Sequence, residues 1–292
     1  MEEMKRMRLT HRRQLEDVPE LIHHIQALLP AKDAAHACVL SKSWLHTWST
    51  IPTLRFCQSS KSLTKQQEKR YLRLMRRTIR RYHKDNIPII TCDLHFGIRK
   101  PKLSTRAEKF IKRVASKSPL KELCLTVVDD VASITLPDEI FSSENLDTLS
   151  IKLYFSLHTV RLHTACPLKK SYPLRISSNP LIVCENMRVL ELLDVRIMEE
   201  VLHNLLSTCK LLEKINLRLP EGLNKILVKN LLYHQELKMT TDSDSDDASL
   251  ETHNLPRLCS LFYQTPRIPL APVLSITDAI WSLRVIFNWC EH

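Results

Sequence analysis

The chain has 292 residues, of which 43% are hydrophobic and 26% charged, as is ordinary for a globular protein with a sizeable core. It contains only two glycines, Gly97 and Gly222, which excludes the glycine-rich loops that cradle phosphates in nucleotide-binding and kinase motifs. The net charge of +11 is unevenly divided, because residues 1–120 carry 26 Lys and Arg against 10 Asp and Glu, while the remainder is mildly acidic.

The cysteines and the apolar pattern indicate a compartment. Nine cysteines are scattered without a CxxC pair, which is typical of reduced thiols in the nucleus or cytoplasm. The charged start of the chain does not resemble a secretory signal, and no apolar stretch is long enough to predict a membrane span.

The first predicted elements are three short helices. Residues 17–29 carry apolar side chains at helical spacing, with Asp17 as a candidate N-cap. Residues 33–40 and 41–50 predict two more helices, capped by Asp33 and Ser41. Such a small bundle needs a partner or the downstream domain to remain folded. Its two tryptophans are candidates either for core packing or for docking, and spacing alone leaves both open.

A basic helix is predicted next, over residues 64–84, which carry nine Lys and Arg. Tyr71, Leu74, Met75 and Tyr82 fall near one helical face. The opposite face is either a solvated surface or, together with the rest of residues 61–117, a patch for nucleic acid or an acidic partner.

From about residue 87 the pattern changes to short strands. Four LxxLxL segments predict strands centred near residues 123, 149, 190 and 215 in one parallel sheet, after an opening strand at 89–96. A degenerate fifth segment ends at Tyr263. Successive centres are 26, 41, 25 and 46 residues apart, so the two long intervals hold either an insertion or a skipped strand, one candidate being residues 173–177.

Helices and a loop are predicted between and after these strands. The segment after Leu192 predicts a helix with Val201, Leu202, Leu205 and Leu206 facing inward. Residues 240–249 are an acidic low-complexity loop, and residues 266–292 form a C-terminal cap. Within that cap, Ile280, Leu283, Ile286 and Phe287 predict a terminal helix.

Catalytic chemistry finds no support in the residue pattern. His158, His163 and Cys166 form the tightest His/Cys group, but their spacing is not that of a zinc site. No nucleophile–base pair can be argued from spacing either. We therefore expect no enzyme activity, no metal and no cofactor.

Residues 18–56, VPELIHHIQALLPAKDAAHACVLSKSWLHTWSTIPTLRF, resemble the F-box of the plant F-box/leucine-rich-repeat family. The segments LPAKDA and VLSKSW and the second tryptophan occur in register with that motif. LLSTCKLLEKINL resembles a repeat signature of the same family, and the weaker resemblance extends over residues 65–220. Val18 replaces a usual Leu, Ser43 replaces a usual Arg, and the pattern fades after Leu255.

The resemblance implies an α+β chain in which a small all-α F-box bundle precedes an α/β leucine-rich-repeat solenoid with a parallel sheet. The implied segments are a basic tail (1–13), the F-box (14–56), a basic helical linker (57–86), the repeat domain (87–265) and the cap (266–292).

In that family the F-box docks on the Skp-type adaptor of an SCF (Skp–Cullin–F-box) ubiquitin ligase, and through it on cullin. The implied function is therefore recognition of a protein substrate, without membrane or nucleic-acid partners, in the nucleus or cytoplasm. A basic nucleic-acid-associated protein using residues 61–117 is the alternative. Trp48 is expected to pack toward the following linker. The implied adaptor-binding residues are Pro19, Leu21, Ile22, Ile25, Leu28, Val39, Leu40 and Trp44.

Overall fold

The computed structural model describes residues 15, 18–57, 65–98, 101–117, 119–129, 134–155, 174–176, 180, 182–195, 197–219, 225–241, 249–265, 273–274 and 282–287. Contacts divide them into two compact units. The first holds the described residues up to 57 together with 65–89, and the second holds those from 90 onward.

The first unit is helical apart from one short strand. Its elements are α1 (Pro19–Leu28), α2 (Ala31–Ala37), α3 (Lys42–Thr50), β1 (Thr53–Phe56) and α4 (Lys65–Lys84). Proline at the first position favours helix initiation in α1, because it fixes φ and has no N–H that needs a partner. These bounds confirm the number and order of the predicted helices.

The helix caps differ from the sequence prediction. Helix α2 begins two residues earlier than predicted, so that Pro30 is its N-cap and Asp33 lies in the first turn. The prediction of Asp33 as a cap was therefore wrong. Ser41 does stand at the N-cap of α3, although its hydroxyl makes no capping hydrogen bond. Val18 stands at the N-cap of α1, so the prediction of Asp17 as that cap was also wrong, and Asp17 itself lies outside the described residues.

Helix α4 belongs to the first unit. Its apolar face is buried at Met75, Ile79 and Tyr82. The Tyr71 hydroxyl donates to the Phe56 carbonyl at 2.7 Å, which ties the helix to β1. The segment interpreted from sequence as a linker thus contributes a packed helix to this unit.

The second unit is built on parallel strands. In chain order its elements are β2 (Thr91–Ile98), α5 (Pro101–Lys117), β3 (Glu122–Asp129), β4 (Ile134–Leu136), a 3-10 turn (Asp138–Ile140), β5 (Thr148–Phe155), β6 (Leu174–Ile176), β7 (Val189–Leu193), α6 (Glu199–Thr208), β8 (Lys214–Leu219), β9 (Lys225–Lys229), β10 (Glu236–Thr241), β11 (Ser249–His253), β12 (Ser260–Thr265), β13 (Val273–Leu274) and β14 (Ser282–Phe287).

The strands of the main sheet follow the order β2-β3-β5-β7-β8-β10-β12-β14, and every pair is parallel. This confirms one parallel sheet for the strands predicted near 123, 149, 190 and 215, together with the opening strand. Parallel order follows when each strand returns to the next through a loop or helix on the same side of the sheet.

The two long sequence intervals between predicted strand centres, of 41 and 46 residues, have different causes. Leu149 pairs directly with Leu190, so the 41-residue interval holds an insertion, and β6 pairs with β4 outside the main sheet. The 46-residue interval holds a skipped strand, because Leu237 of β10 lies in register between Ile215 and Leu261.

Connections between main-sheet strands change along the chain. The connections after β2 and β7 contain the helices α5 and α6. The connections after β8, β10 and β12 instead contain the strands β9, β11 and β13, which form a second parallel sheet. Asn230 and Asn254 end β9 and β11 with φ of 57° and 54°. Asparagine tolerates this left-handed conformation, which lets a glycine-poor chain make these turns.

The C-terminal segment corrects one prediction. Residues 282–287 form strand β14, paired in parallel with β12, rather than a terminal helix. The apolar residues at 283, 285 and 287 alternate along the strand, and pairing with a preformed sheet edge decides between the two patterns. Ile280 and residues 242–248 of the predicted acidic loop lie outside the described residues.

The predicted LxxLxL side chains all lie in the core of the second unit, each at most 4% exposed. The inward face of α6 adds the four residues predicted from sequence, all of them buried. Among the described residues, no helix combines the length and apolar character that a membrane crossing requires.

Candidate functional site

Exposed apolar side chains are concentrated in the first unit. Of the 11 large apolar side chains that are exposed in the described part of the chain, seven lie within residues 15–45. Contiguous exposed apolar surface commonly marks an interaction site. We refer to six of these residues as the exposed apolar set: Val18, Leu21, Leu28, Val39, Leu40 and Leu45.

Helix geometry explains the part of this set on α1. Val18, Leu21 and Leu28 are separated by three and seven residues, so they follow one face of the helix and its cap. Val39 and Leu40 lie between α2 and α3, and they are 87% and 64% exposed. Two consecutive aliphatic side chains with this exposure are more informative than a single exposed residue would be.

The eight residues predicted to bind an adaptor fall into two groups. Pro19, Leu21, Leu28, Val39 and Leu40 are exposed, and Ile25 is half-buried. Ile22 and Trp44, by contrast, are 0% and 7% exposed and belong to the core of the unit.

The burial of Trp44 differs from the expectation that this ring is the docking residue. Trp44, Thr47 and Ile51 follow one another at helical spacing and are all buried. The Gln26 side chain, itself 1% exposed, donates from Nε2 to the Trp44 carbonyl at 3.0 Å and fixes α3 against α1. Sequence reasoning missed Gln26, because a glutamine within an apolar helix gives no signal of burial.

Trp48 is half-buried and packs against α4, as the sequence predicts. The Arg81 guanidinium carbon lies 3.5 Å from the centre of the Trp48 ring, a close cation–π contact. Both terminal nitrogens of Arg81 also donate to the Trp48 carbonyl at 3.4 Å. Trp48 therefore joins α3 to α4, which gives the second tryptophan a structural role.

A second candidate surface is the solvent-facing side of the main sheet, centred on Glu191. This carboxylate accepts hydrogen bonds from Ser150 Oγ at 2.6 Å and from Asn216 Nδ2 at 2.9 Å, and it pairs with Lys152 Nζ at 2.7 Å. Burial alone would raise the pKa of Glu191, but the hydrogen bonds and the Lys152 charge outweigh it and hold the pKa below its ordinary value. The group therefore stays ionised and fixes three adjacent strands.

Neighbouring strands extend this polar surface. Arg218 forms a salt bridge with Asp194, its Nε donating to Oδ1 at 2.9 Å, while the Asp194 backbone N–H donates to the Arg218 carbonyl at 2.7 Å. Further along the sheet, Lys238, Phe262 and Arg284 stand in register on adjacent strands. Lys238 Nζ lies 5.1 Å from the centre of the Phe262 ring. This side of the sheet thus offers charged, amide and aromatic groups to a partner.

One buried group stands apart in the core of the second unit. When the register of β10 with its neighbours β8 and β12 is extended backwards, His234 is level with Leu212 on one side and Leu258 on the other. It is fully buried, and its Nδ1 donates to the Leu212 carbonyl at 3.3 Å, while Nε2 has no partner among the described residues. Burial lowers the pKa of His234 to about 4.

The histidine group considered as a metal site, His158, His163 and Cys166, lies outside the described residues.

Comparison with known proteins gives relatives of one kind. The chain is 24% identical to the Arabidopsis thaliana "F-box protein At5g03100" over 263 residues, covering 89% of this chain and 73% of the relative. It is 25% identical to the Arabidopsis "F-box/LRR-repeat protein At3g26922" over 139 residues, covering 47% of this chain and 43% of the relative.

A third Arabidopsis relative, the "Probable FBD-associated F-box protein At1g32375", is 25% identical over 203 residues, covering 69% of this chain and 43% of the relative. The chain thus spans less than half the length of two of these relatives. No family model and no solved structure matches the chain. All three relatives are named as F-box proteins, the family that residues 18–56 resemble, and the chain is a homologue of these plant proteins.

Proposed function

We propose that the chain is the substrate-recognition subunit of an SCF-type E3 ubiquitin ligase. In this proposal α1–α3 form an F-box that binds a Skp-type adaptor and, through it, cullin. The second unit is a leucine-rich-repeat solenoid that binds a protein substrate. The observation that carries the proposal is the concentration of exposed apolar side chains within residues 15–45, the segment that resembles an F-box.

Within the exposed apolar set, Leu28, Val39 and Leu40 have the most surface to lose on docking. Fully burying one such side chain stabilises a complex by about 1.5–3 kcal/mol. Burying three of them therefore provides enough binding free energy for a hot spot at the centre of an interface. Leu45 is not among the adaptor-binding residues that the sequence analysis implies, but it is 51% exposed and joins this group in the proposal.

Ile22 and Trp44 act in this proposal as supports rather than as contacts. Their burial fixes the relative position of α1 and α3, and a preformed surface loses less conformational entropy on binding. Val18 and Ser43, the two departures from the family pattern, leave the exposed leucines of α1 unchanged. Their effect on affinity is therefore expected to be small.

The substrate would bind the solvent-facing side of the main sheet. The chain would perform no bond chemistry there, since a recognition subunit acts by raising the effective concentration of a target lysine near a bound conjugating enzyme. The network around Glu191 supports this proposal, because it holds polar groups rigidly at fixed spacing across three strands.

The proposed compartment is the nucleus or cytoplasm. The seven cysteines among the described residues are free thiols, and the sulfurs of Cys184 and Cys209 lie 3.7 Å apart in a thiol–thiol hydrogen bond rather than a disulfide. Free thiols are usual in reducing compartments, where ubiquitin ligases of this type would work.

The test is binding to a plant Skp-type adaptor, first by co-purification and then by calorimetry. The double variant Leu28→Lys/Val39→Lys places charges in the exposed apolar set. Its matched control, Met198→Lys/Leu232→Lys, changes two side chains of the second unit with exposures of 48% and 51%. Circular dichroism checks that both variants remain folded.

We expect the first variant to weaken adaptor binding at least about thirtyfold, the factor for losing a hot spot of about 2 kcal/mol, and the control to bind like the unmodified chain. Failure of the unmodified chain to bind the adaptor would contradict the proposal. Equal weakening by both variants would contradict the assignment of the surface.

A further inference from the structure

The exposed face of α4 carries a positive charge that the packing of the first unit does not use. Among the side chains of this helix that the structure describes, seven basic ones are exposed. Five are arginines, and Glu68 is the only acidic residue within the helix. We call them the α4 basic face: Lys69, Arg70, Arg73, Arg76, Arg77, Arg80 and Lys84.

None of these seven side chains forms an ion pair or hydrogen bond with the described residues. Arg81, on the inner side, is the one arginine among the described residues of α4 that contacts a tryptophan. Adjacent cations repel one another, so seven of them on one helix face cost stability unless an anion is bound.

Helix geometry aligns the charges. Lys69, Arg73, Arg76, Arg80 and Lys84 recur every three or four residues, so they form one row along the helix. At about 1.5 Å per residue the row is roughly 22 Å long. A straight row of cations of this length fits an extended polyanion better than a single anionic group.

Three kinds of polyanion are conceivable, and the structure favours one of them. A membrane surface would take the apolar face of an amphipathic helix, but Met75, Ile79 and Tyr82 of α4 are buried within the unit. An acidic protein would need apolar anchors, yet the described residues of α4 expose no large apolar side chain. Arginine-rich faces suit phosphate, because the guanidinium fork matches phosphate geometry.

We propose that the α4 basic face binds the phosphate backbone of a nucleic acid, independently of base sequence. This binding goes beyond adaptor docking and uses a helix that carries none of the exposed apolar set. The proposed phosphate-binding surface does not extend over all of residues 61–117, since Lys112 of α5 is already paired with Glu139 at 2.6 Å.

The experiment measures fluorescence anisotropy of labelled 20-base-pair DNA and RNA duplexes and of a 20-nucleotide single strand, titrated with the full chain. The variant Arg73→Gln/Arg76→Gln/Arg80→Gln removes three charges from the α4 basic face. Its control, Arg106→Gln/Lys109→Gln/Arg113→Gln, removes three exposed charges with the same spacing from α5. The charge-preserving variant Arg73→Lys/Arg76→Lys/Arg80→Lys tests for damage other than lost charge.

If all seven cations contact phosphates, the logarithm of the binding constant falls with the logarithm of salt concentration with a slope of about −6. The glutamine variant should reduce that slope by about 3, whereas the α5 control and the lysine variant should keep it. Duplex and single-strand arms identify which form of nucleic acid is preferred.

Equal loss in the α4 and α5 variants would overturn the proposal in favour of attraction by overall charge. So would equally tight binding of poly-glutamate, which would indicate an acidic protein. Binding of phosphatidylserine vesicles without binding of nucleic acid would overturn it in favour of a membrane surface. Absence of binding to all three nucleic acids at about 50 mM salt would refute it outright.

Discussion

The two units of the chain treat large apolar side chains in opposite ways. The second unit buries its leucines in a ladder between parallel strands and exposes only Tyr154, Met198, Leu232 and Tyr233 among the described residues. The first unit exposes seven over a much shorter stretch. A repeating sheet gains interior with every added strand, whereas a small helical unit has little interior to fill. The comparison teaches that the first unit is the one suited to bind through apolar contacts.

The largest expected effect concerns the core of the first unit. Trp44→Ala should lower its free energy of unfolding by roughly 3–5 kcal/mol, because this large side chain is only 7% exposed. Native-state hydrogen exchange of the full chain measures this loss as reduced protection of α1–α3, with the main sheet unchanged.

The control for this prediction is Leu45→Ala, on the exposed side of the same helix, which should change protection by less than about 1 kcal/mol. Unchanged protection in Trp44→Ala combined with lost adaptor binding would contradict the prediction. Trp44 would then be a docking residue, as the family resemblance alone suggests.

The next effect concerns the core of the second unit and its response to acid. The unfolded chain protonates His234 near the ordinary histidine pKa of 6.5, whereas the folded chain does so only near 4. Between these values the unfolded state binds more protons, so stability falls as the pH is lowered from about 6.5 to about 4. At pH 5 the loss from this residue is about 2 kcal/mol relative to pH 7.

His234→Leu restores the side chain found at the neighbouring ladder positions and should remove most of that difference. Urea unfolding at pH 7 and pH 5 measures it for both chains. His253→Leu, at an exposed position, controls for the loss of a histidine from the unfolded chain. An unaltered pH dependence in His234→Leu would show that acid acts on other groups.

The position of His234 also illustrates what could be predicted from sequence. The strands near 123, 149, 190 and 215 were predictable because leucines recur there at LxxLxL spacing and the sheet must bury them. In the segment that leads into β10 and in the strand itself, His234, Leu237 and Met239 take the same positions, so the leucine pattern does not reveal the strand. Only pairing with β8 and β12 on either side identifies the strand.

The same limit applies to the candidate site. The sequence located the segment that carries the exposed apolar set, because the resemblance to an F-box covers residues 18–56. The spacing could not decide which tryptophan is buried, since Trp44 and Trp48 lie only four residues apart on the same helix. That choice depends on Gln26 and Arg81, two polar residues from other helices whose contacts with the Trp44 and Trp48 carbonyls no local pattern predicts.

The smallest expected effect concerns the junction of α3 and α4. Arg81→Leu removes the stack on Trp48 and the hydrogen bonds to its carbonyl, which should lower the stability of the first unit by about 1–2 kcal/mol. The neighbouring Arg80 is exposed, so Arg80→Leu should change stability by less than about 0.5 kcal/mol. Thermal unfolding followed by tryptophan fluorescence compares the two. Equal effects would mean that the cation–π contact contributes nothing.

Hydrogen exchange of the full chain with and without a plant Skp-type adaptor tests the difference between the two units most directly. The prediction is slower exchange in peptides covering residues 18–50 when the adaptor is bound, with the strands of the main sheet unchanged. Protection confined to the main sheet, or a complex that leaves residues 18–50 unprotected, would contradict the assignment of the first unit as the adaptor-binding part.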